Sequence, residues 1–326
     1  MKTEQQKRLT LNDIARLAGV SKTTASIILN NRGDDFRIKA ETRQKVQAVA
    51  QKYAKALQAR KTNVIGLVIP DLTNYGFAQT AKTLERLCRE NGLYLVIACS
   101  DDNPTQEKVA IERLLDRQVD LLITAPTHKI ADYYQDILQH TPLLLLDRYI
   151  PHSGISSITS NDIPSVITLV ENIVRAYQLD EFFYFGGQLS LTPSENRLKG
   201  FREGLVQSHL TEQSGWILHK DYQPESGYQM LAETVENLGR LPKAIFTASY
   251  TLLEGVMRYL TEHKCMDKLM SQELHLATFD DHYLLNALPF HINSIKQDHD
   301  RIAQQTFKIL KEKLNHQESQ SVQVDC

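Results

Sequence analysis

Two periodicities divide the chain. Over residues 10–57 the apolar positions recur at helical spacing: Ile14, Ala15 and Ala18, then Ala25, Ile28 and Leu29, then Val46, Val49, Ala50, Tyr53 and Leu57. From Asn63 onward, apolar runs of strand length alternate with amphipathic stretches. The predicted strands are 64–69, 93–99, 120–124, 143–146, 156–159, 182–185, 216–218, 244–247, 274–278 and 292–295. The predicted helices between them are 77–91, 106–118, 130–138, 163–177, 194–208, 225–238, 252–263 and 298–314. Strand and helix alternating at this pitch imply an α/β core of parallel sheets covered by helices on both faces. Ten strands exceed one comfortable twisted sheet, so two lobes are expected, with a ligand crevice where strand carboxyl ends meet.

The first segment reads as two short helices and a tight turn. Gly19 suits a turn conformation that strains other residues, and Ser21 stands at an N-cap position. Small polar residues fill the outer face of the second helix: Lys22, Thr23, Thr24, Ser26 and Asn30. This is a helix-turn-helix, an all-α head whose second helix fits a DNA major groove. Short hydroxyl side chains bond phosphates without holding the backbone off the duplex.

Charge sharpens that reading. Residues 1–62 hold 14 Lys or Arg against 5 Asp or Glu, leaving 23 against 34 for the rest. A basic head on an acidic body gives salt-dependent affinity for phosphate, which the net charge of −2 conceals. The expected organisation is a DNA-binding domain over residues 1–53, a linker over 54–62 and a core over 63–326.

No apolar stretch is long enough to span a membrane, and residues 1–9 lack the apolar centre of an export signal. The four cysteines follow no metal-ligand spacing, so no metal and a reducing cytoplasm are expected. There is no Gly-x-Ser-x-Gly elbow, His-Glu-x-x-His, phosphate loop or dinucleotide fingerprint, and Gly186-Gly187 is a bare glycine pair. An enzyme is not expected, nor a cofactor. A transport receptor would suit the core but neither the head nor the missing export signal.

In the core, polar groups follow the apolar runs, where they can meet a ligand in the crevice: Asn74 and Phe77, Ser100 and Asp101, Asp147 and Arg148, Arg197, Asp280 and Asp281, and Gln297. Carboxylates accept from ligand hydroxyls, Arg and Gln donate, and an aromatic ring packs on an apolar face of a ligand. Asp147 could equally cap a turn, and Gln297 could bond between lobes.

Taken together, Thr10 to Asn30, Thr42-Arg43, Ile65-Gly66-Leu67-Val68-Ile69-Pro70, Asn196-Arg197-Leu198-Lys199-Gly200-Phe201, Phe279-Asp280-Asp281 and Ile295-Lys296-Gln297-Asp298 resemble the lac/galactose repressor family of bacterial transcription regulators. Several stretches look like its sucrose-operon branch: Phe185-Gly186-Gly187-Gln188, Leu191-Thr192-Pro193-Ser194, Leu253-Glu254-Gly255-Val256 and Thr278 to Leu284. The fructose-responsive repressor/activators are the alternative branch.

The resemblance implies a core shaped like a periplasmic sugar-binding protein. It places one lobe at about 63–159 plus 293–315 and the other at about 161–289 plus the tail. Crossings are then expected near 159–161, 289–293 and after 315. It implies a homodimer on a pseudo-palindromic operator. Tetrameric members carry an apolar heptad tail, whereas residues 317–326 are polar, so a dimer alone is expected. For DNA it implies base reading by Lys22 and Thr23 with Ile27 one turn on, and phosphate contacts from Thr10, Ser21, Thr24, Ser26 and Asn30. Lys22 could instead meet a phosphate. Leu57 matches a leucine wedged into the minor groove, or is a core leucine of a helix. For the effector, fructose or a fructose phosphate, it implies contacts from Arg197 and Asp280, followed by Gln297, Asp147, Ser249 and Asn161. Arg148, Arg197 and Lys199 are the candidates for an anion site. One departure stands out. Members place a Pro- and Asn-containing loop after the tyrosine of the third helix, but here Tyr53 runs straight into Ala54-Lys55-Ala56-Leu57. All favour helix, so one continuous helix is expected through this point.

Overall fold

The computed structural model describes residues 11–29, 36, 38–58, 61–127, 130–315, 317 and 319–326, without the side chains of 12 and 51–58. Thr10 and Asn30 lie outside the described residues. The chain forms two compact units, Met1–Thr62 and Asn63–Cys326.

In the first unit, α1 (Leu11–Ala18) and α2 (Lys22–Leu29) are followed by α3 (Ala40–Gln58). Ala15, Ala18, Ala25, Ile28 and Val46 are buried together, with Leu11, Ile14, Val20, Ile38 and Val49 around them. Gly19 takes φ 70°, and Ser21 caps α2 by accepting from the Thr24 amide at 3.0 Å. The helix expected to continue through Tyr53 does so, to Gln58. The expected division at residue 53/54 therefore needs correcting: residues 54–58 belong to α3, because no Pro or Gly stops it.

The second unit has two sheets, parallel throughout. Its first part runs β1 (Val64–Ile69), α4 (Tyr75–Glu90), β2 (Tyr94–Cys99), α5 (Pro104–Asp116), β3 (Leu121–Thr124), α6 (Ala131–Leu138), β4 (Leu143–Leu146) and β5 (Ser157–Ser160). The second continues with α7 (Asp162–Tyr177), β6 (Phe183–Gly186), α8 (Thr192–Gln207), β7 (Ile217–His219), α9 (Pro224–Leu238), β8 (Ala244–Thr247), α10 (Tyr250–Glu262), α11 (Asp267–Met270), β9 (His275–Phe279), a 3-10 turn (Tyr283–Ala287) and β10 (Ile292–Ile295). The chain ends with α12 (His299–Leu314) and β11 (Val322–Val324).

The first lobe's sheet has the order β11-β5-β4-β3-β1-β2. Alternation along β1 splits its core in two. Ile65, Leu67 and Ile69 meet α4 and α12, while Val68 packs with residues of α5 and α6. The second lobe's sheet, β10-β9-β8-β6-β7, has one core cluster rich in aromatics, including Phe182, Tyr184, Phe201, Phe246 and Phe279.

Two expectations about the lobes fail. β10 pairs with β9, so it belongs to the second lobe rather than the first, because Ile292 and Ile295 are buried in that lobe's core. The tail pairs with β5, so it belongs to the first lobe rather than the second. Val324 is buried there, and the Ser157 amide donates to Ser321 Oγ at 3.0 Å. The chain accordingly crosses at about 160–162, as expected, and next at 296–298, not 289–293. Among the described residues there is no third crossing after 315.

Candidate functional site

On α2, Lys22 and Thr23 are exposed, Thr24, Ser26 and Ile27 are half-buried, and Ala25 and Ile28 turn inward. The Ser21 and Thr24 hydroxyls lie 2.7 Å apart. Lys22 and Thr23 thus stand at the N-terminal end of a helix held by its inner face, the end that a helix-turn-helix turns toward base edges. Leu57 lies in the last turn of α3.

In the core, each sheet reverses its strand order at one point, between β1 and β3 and between β6 and β8. A cavity of about 280 Å³ opens where the strand carboxyl ends of both lobes meet. Asn74, Phe77, Asp147, Arg197, Ser249, Asp280 and Gln297 of the expected set line it. Asn74 also caps α4, accepting from the Phe77 amide, and Ser249 caps α10.

Two arginines are buried in its walls, each with carboxylates. Arg197 Nε donates to Asp162 at 3.3 Å and its Nη1 to the Ala248 carbonyl at 2.7 Å. Its guanidinium carbon sits 3.7 Å from the centre of the Phe279 ring, which braces it as a cation. Arg148 Nη1 donates to Asp102 at 2.6 Å, while its Nε is buried without a hydrogen-bond partner, 3.7 Å from Asp147. Burial pulls the Arg148 pKa down, but the Asp102 charge and hydrogen bond outweigh it and hold it above its ordinary value. Burial raises Asp147 against the opposing pull of Arg148. Burial also lifts Asp162 to about 6, although Arg197 and the Ser160 hydroxyl pull the other way. Gln297 Nε2 donates to Asp280 Oδ1 at 2.5 Å, so this glutamine orients an acceptor in the cleft.

Tyr222, Thr251, Glu254, Asp102 and His299 also line the cavity. Asp102 and Tyr222 each come three residues after a strand end, of β2 and β7, so their positions carried the same signal as the other candidates; Thr251, Glu254 and His299 lie in helices and carried none. Gly187 explains the glycine pair: a Cβ there would lie 2.2 Å from the Tyr222 ring, so only glycine admits that ring. Four expected residues, Ser100, Asn161, Lys199 and Asp281, are not brought to the cavity. Ser100 is fully buried and donates to the Ile69 carbonyl at 3.4 Å. Asn161 spends its amide on the tail, donating to Asp325 at 3.0 Å and accepting from the Cys326 amide at 2.9 Å. Lys199 is exposed beside Glu203, so the anion candidates reduce to Arg148 and Arg197. Asp281 holds Ser294 at 3.0 Å instead of lining the cavity.

A two-lobed core of this topology behind a helix-turn-helix defines a ligand-responsive DNA-binding regulator. Residues 10–54 match the family model of bacterial regulatory proteins of the lacI family, and residues 178–325 match that of the periplasmic binding protein-like domain. The chain is 41% identical to the sucrose operon repressor of Klebsiella pneumoniae, covering 97% of this chain and 96% of that one. It is 36% identical to the fructose operon regulatory protein of Vibrio cholerae, over 90% and 91% of the two chains. A structure of the Cra transcriptional dual regulator of Pseudomonas putida with fructose 1-phosphate superposes with a TM-score of 0.73 at 28% identity, covering 81% of this chain and 97% of that one. The chain belongs to the lacI family of bacterial transcription regulators.

Proposed function

We propose that this chain is a homodimeric repressor of a sucrose-utilisation operon, released from a pseudo-palindromic operator when fructose or a fructose phosphate fills the cleft. The carrying observation is the likeness to the sucrose operon repressor over nearly the whole chain, together with a cavity flanked by Asp147, Arg197 and Asp280. Lys22 and Thr23 read base edges, with Ile27 beside them, and Ser21, Thr24 and Ser26, with Thr10 and Asn30, hold phosphates. Leu57 enters the minor groove at the operator centre. In the cleft, Asp147 and Asp280 accept from sugar hydroxyls from opposite lobes, Arg197 donates, and Phe77 packs on the sugar's apolar face. A sugar that binds both lobes stabilises the arrangement that holds it, and only that difference in affinity can drive release from DNA. A DNA-binding regulator of this kind works in the cytoplasm and performs no catalysis.

The fructose-regulator branch is the second reading. It is favoured by the 36% identity to the fructose operon protein and by Arg148, whose buried Nε has no hydrogen-bond partner. Calorimetry with fructose, fructose 1-phosphate and sucrose, paired with release from a sucrose-operon promoter fragment, tests both. Release by fructose or its phosphate supports the first reading. Failure to bind that fragment while binding a fructose-operon promoter supports the second.

A further inference from the structure

The two lobes touch beside the cleft through aromatic rings. The His282 ring lies between two tyrosines. Tyr75 approaches it edge-on with ring centres 4.5 Å apart, and Tyr250 stacks on it at 4.7 Å with an interplanar angle of 26°. Tyr283 adds a tilted contact at 4.3 Å. Tyr75 opens α4 in the first lobe, whereas His282 and Tyr250 belong to the second. All three rings are half-buried.

Each member is tied to a residue that lines the cavity. Tyr75 follows Asn74 directly, Tyr250 lies one turn before Glu254 on α10, and His282 comes two residues after Asp280. His299, also in the lining, has its ring centre 6.3 Å from that of Tyr75. The imidazole is fixed as well as packed. The Leu284 amide donates to its Nδ1 at 3.2 Å, which leaves the ring proton on Nε2 and sets the ring plane. Burial lowers its pKa, with Asp281 opposing, so at neutral pH the ring is uncharged and packs as an aromatic.

We propose that the Tyr75–His282–Tyr250 stack is a latch across the cleft that retains the bound effector by resisting separation of the lobes. The proposal rests on the effector reading of the cavity. To let a ligand out, the lobes must part, and parting them breaks the Tyr75–His282 contact while leaving His282 on Tyr250. The latch therefore acts on release. Loss of aromatic pairs of this kind corresponds to about three- to tenfold faster release.

The test uses the full chain and whichever of fructose or fructose 1-phosphate binds the wild type by calorimetry. Release is followed by rapid dilution of the labelled sugar. Tyr75→Ala and His282→Ala should each release it about three- to tenfold faster, and the double variant no faster than the quicker single. His282→Phe, which keeps the ring but not the Leu284 hydrogen bond, should restore most of the retention. Unchanged release in the single variants, or single effects that multiply in the double, would overturn the latch. A wild type that binds neither sugar defeats the effector reading instead. The latch is then decided in the ligand-free chain by amide exchange over residues 282–288. Tyr75→Ala should speed exchange there, across the lobe boundary, and no change would overturn it.

Discussion

Asp147 and Asp280 occupy corresponding turns in the two lobes. Each is the first residue after a buried strand, β4 or β9, and each has a left-handed backbone, φ 65° and 75°. Both line the cavity. The left-handed turn brings the carboxylate into the cleft at the end of the strand, and Asp tolerates that conformation better than most residues.

Asp280→Asn keeps the backbone tolerance and removes the charge. It should weaken effector binding by roughly 10- to 100-fold, the usual range for a hydrogen bond to a charged group, and leave operator affinity unchanged. Calorimetry and an operator-binding titration check it. Normal effector affinity in this variant would mean that Asp280 serves Gln297 alone.

Arg197→Ala leaves the buried Asp162 without its cation, which costs about 3–5 kcal/mol in comparable cases. The variant should melt earlier and fail to leave the operator at any sugar concentration that releases the wild type. Adding Asp162→Asn should recover part of the stability but none of the induction. If induction returned with stability, Arg197 would be a structural residue only.

Asp162 also predicts a pH dependence. Its folded pKa, about 6, stands above the ordinary carboxyl value, so the folded state holds this proton more tightly than the unfolded one. The stability this group contributes is complete below the ordinary carboxyl range and is lost as pH rises through about 6. Measured against Asp162→Asn, whose side chain cannot ionise and whose effect on Arg197 is a constant offset, the wild type should lose on the order of 1–3 kcal/mol between pH 4 and pH 7. Parallel melting-temperature curves for the two proteins would contradict this.

In the head, operator affinity should fall steeply with salt, as the cluster of basic residues requires. Lys22→Ala should cost about 1–3 kcal/mol on operator and little on random DNA. An equal loss on both would make Lys22 a phosphate contact, which competition titrations at two salt concentrations would reveal.

Much of this architecture was legible because aliphatic runs such as Leu143–Leu146 and Ala244–Thr247 are strands wherever they are buried on both faces. Lobe membership was not. Nothing in Ile292–Ile295 says which sheet will take it, since that depends on where Ile292 and Ile295 find a core. Val322–Val324 escaped notice because two valines around Gln323 in a polar stretch give too short an alternation. The cleft shows the same limit. Asp147, Asp280 and Gln297 could be named because a polar residue after an apolar run marks a strand end. Ser100 has the same signature, yet its hydroxyl turns back to Ile69. Tyr222, three residues after β7, has it too and was passed over, whereas Thr251 and His299 reach the cavity from the first turns of helices.

The pairing of β11 with β5 bears on how the protein is made. The second lobe is one unbroken stretch, from α7 to β10, whereas the first draws α12 and β11 from beyond it. During synthesis, residues 64–160 emerge first but cannot complete their sheet until residues 299–324 have followed. The later-made lobe thus has every strand of its sheet before the earlier one does. Until then the β5 edge and the face of the first sheet that α12 will cover stand open, with Leu144, Leu146 and Ile158 on it. That interval is when this chain most needs protection from aggregation.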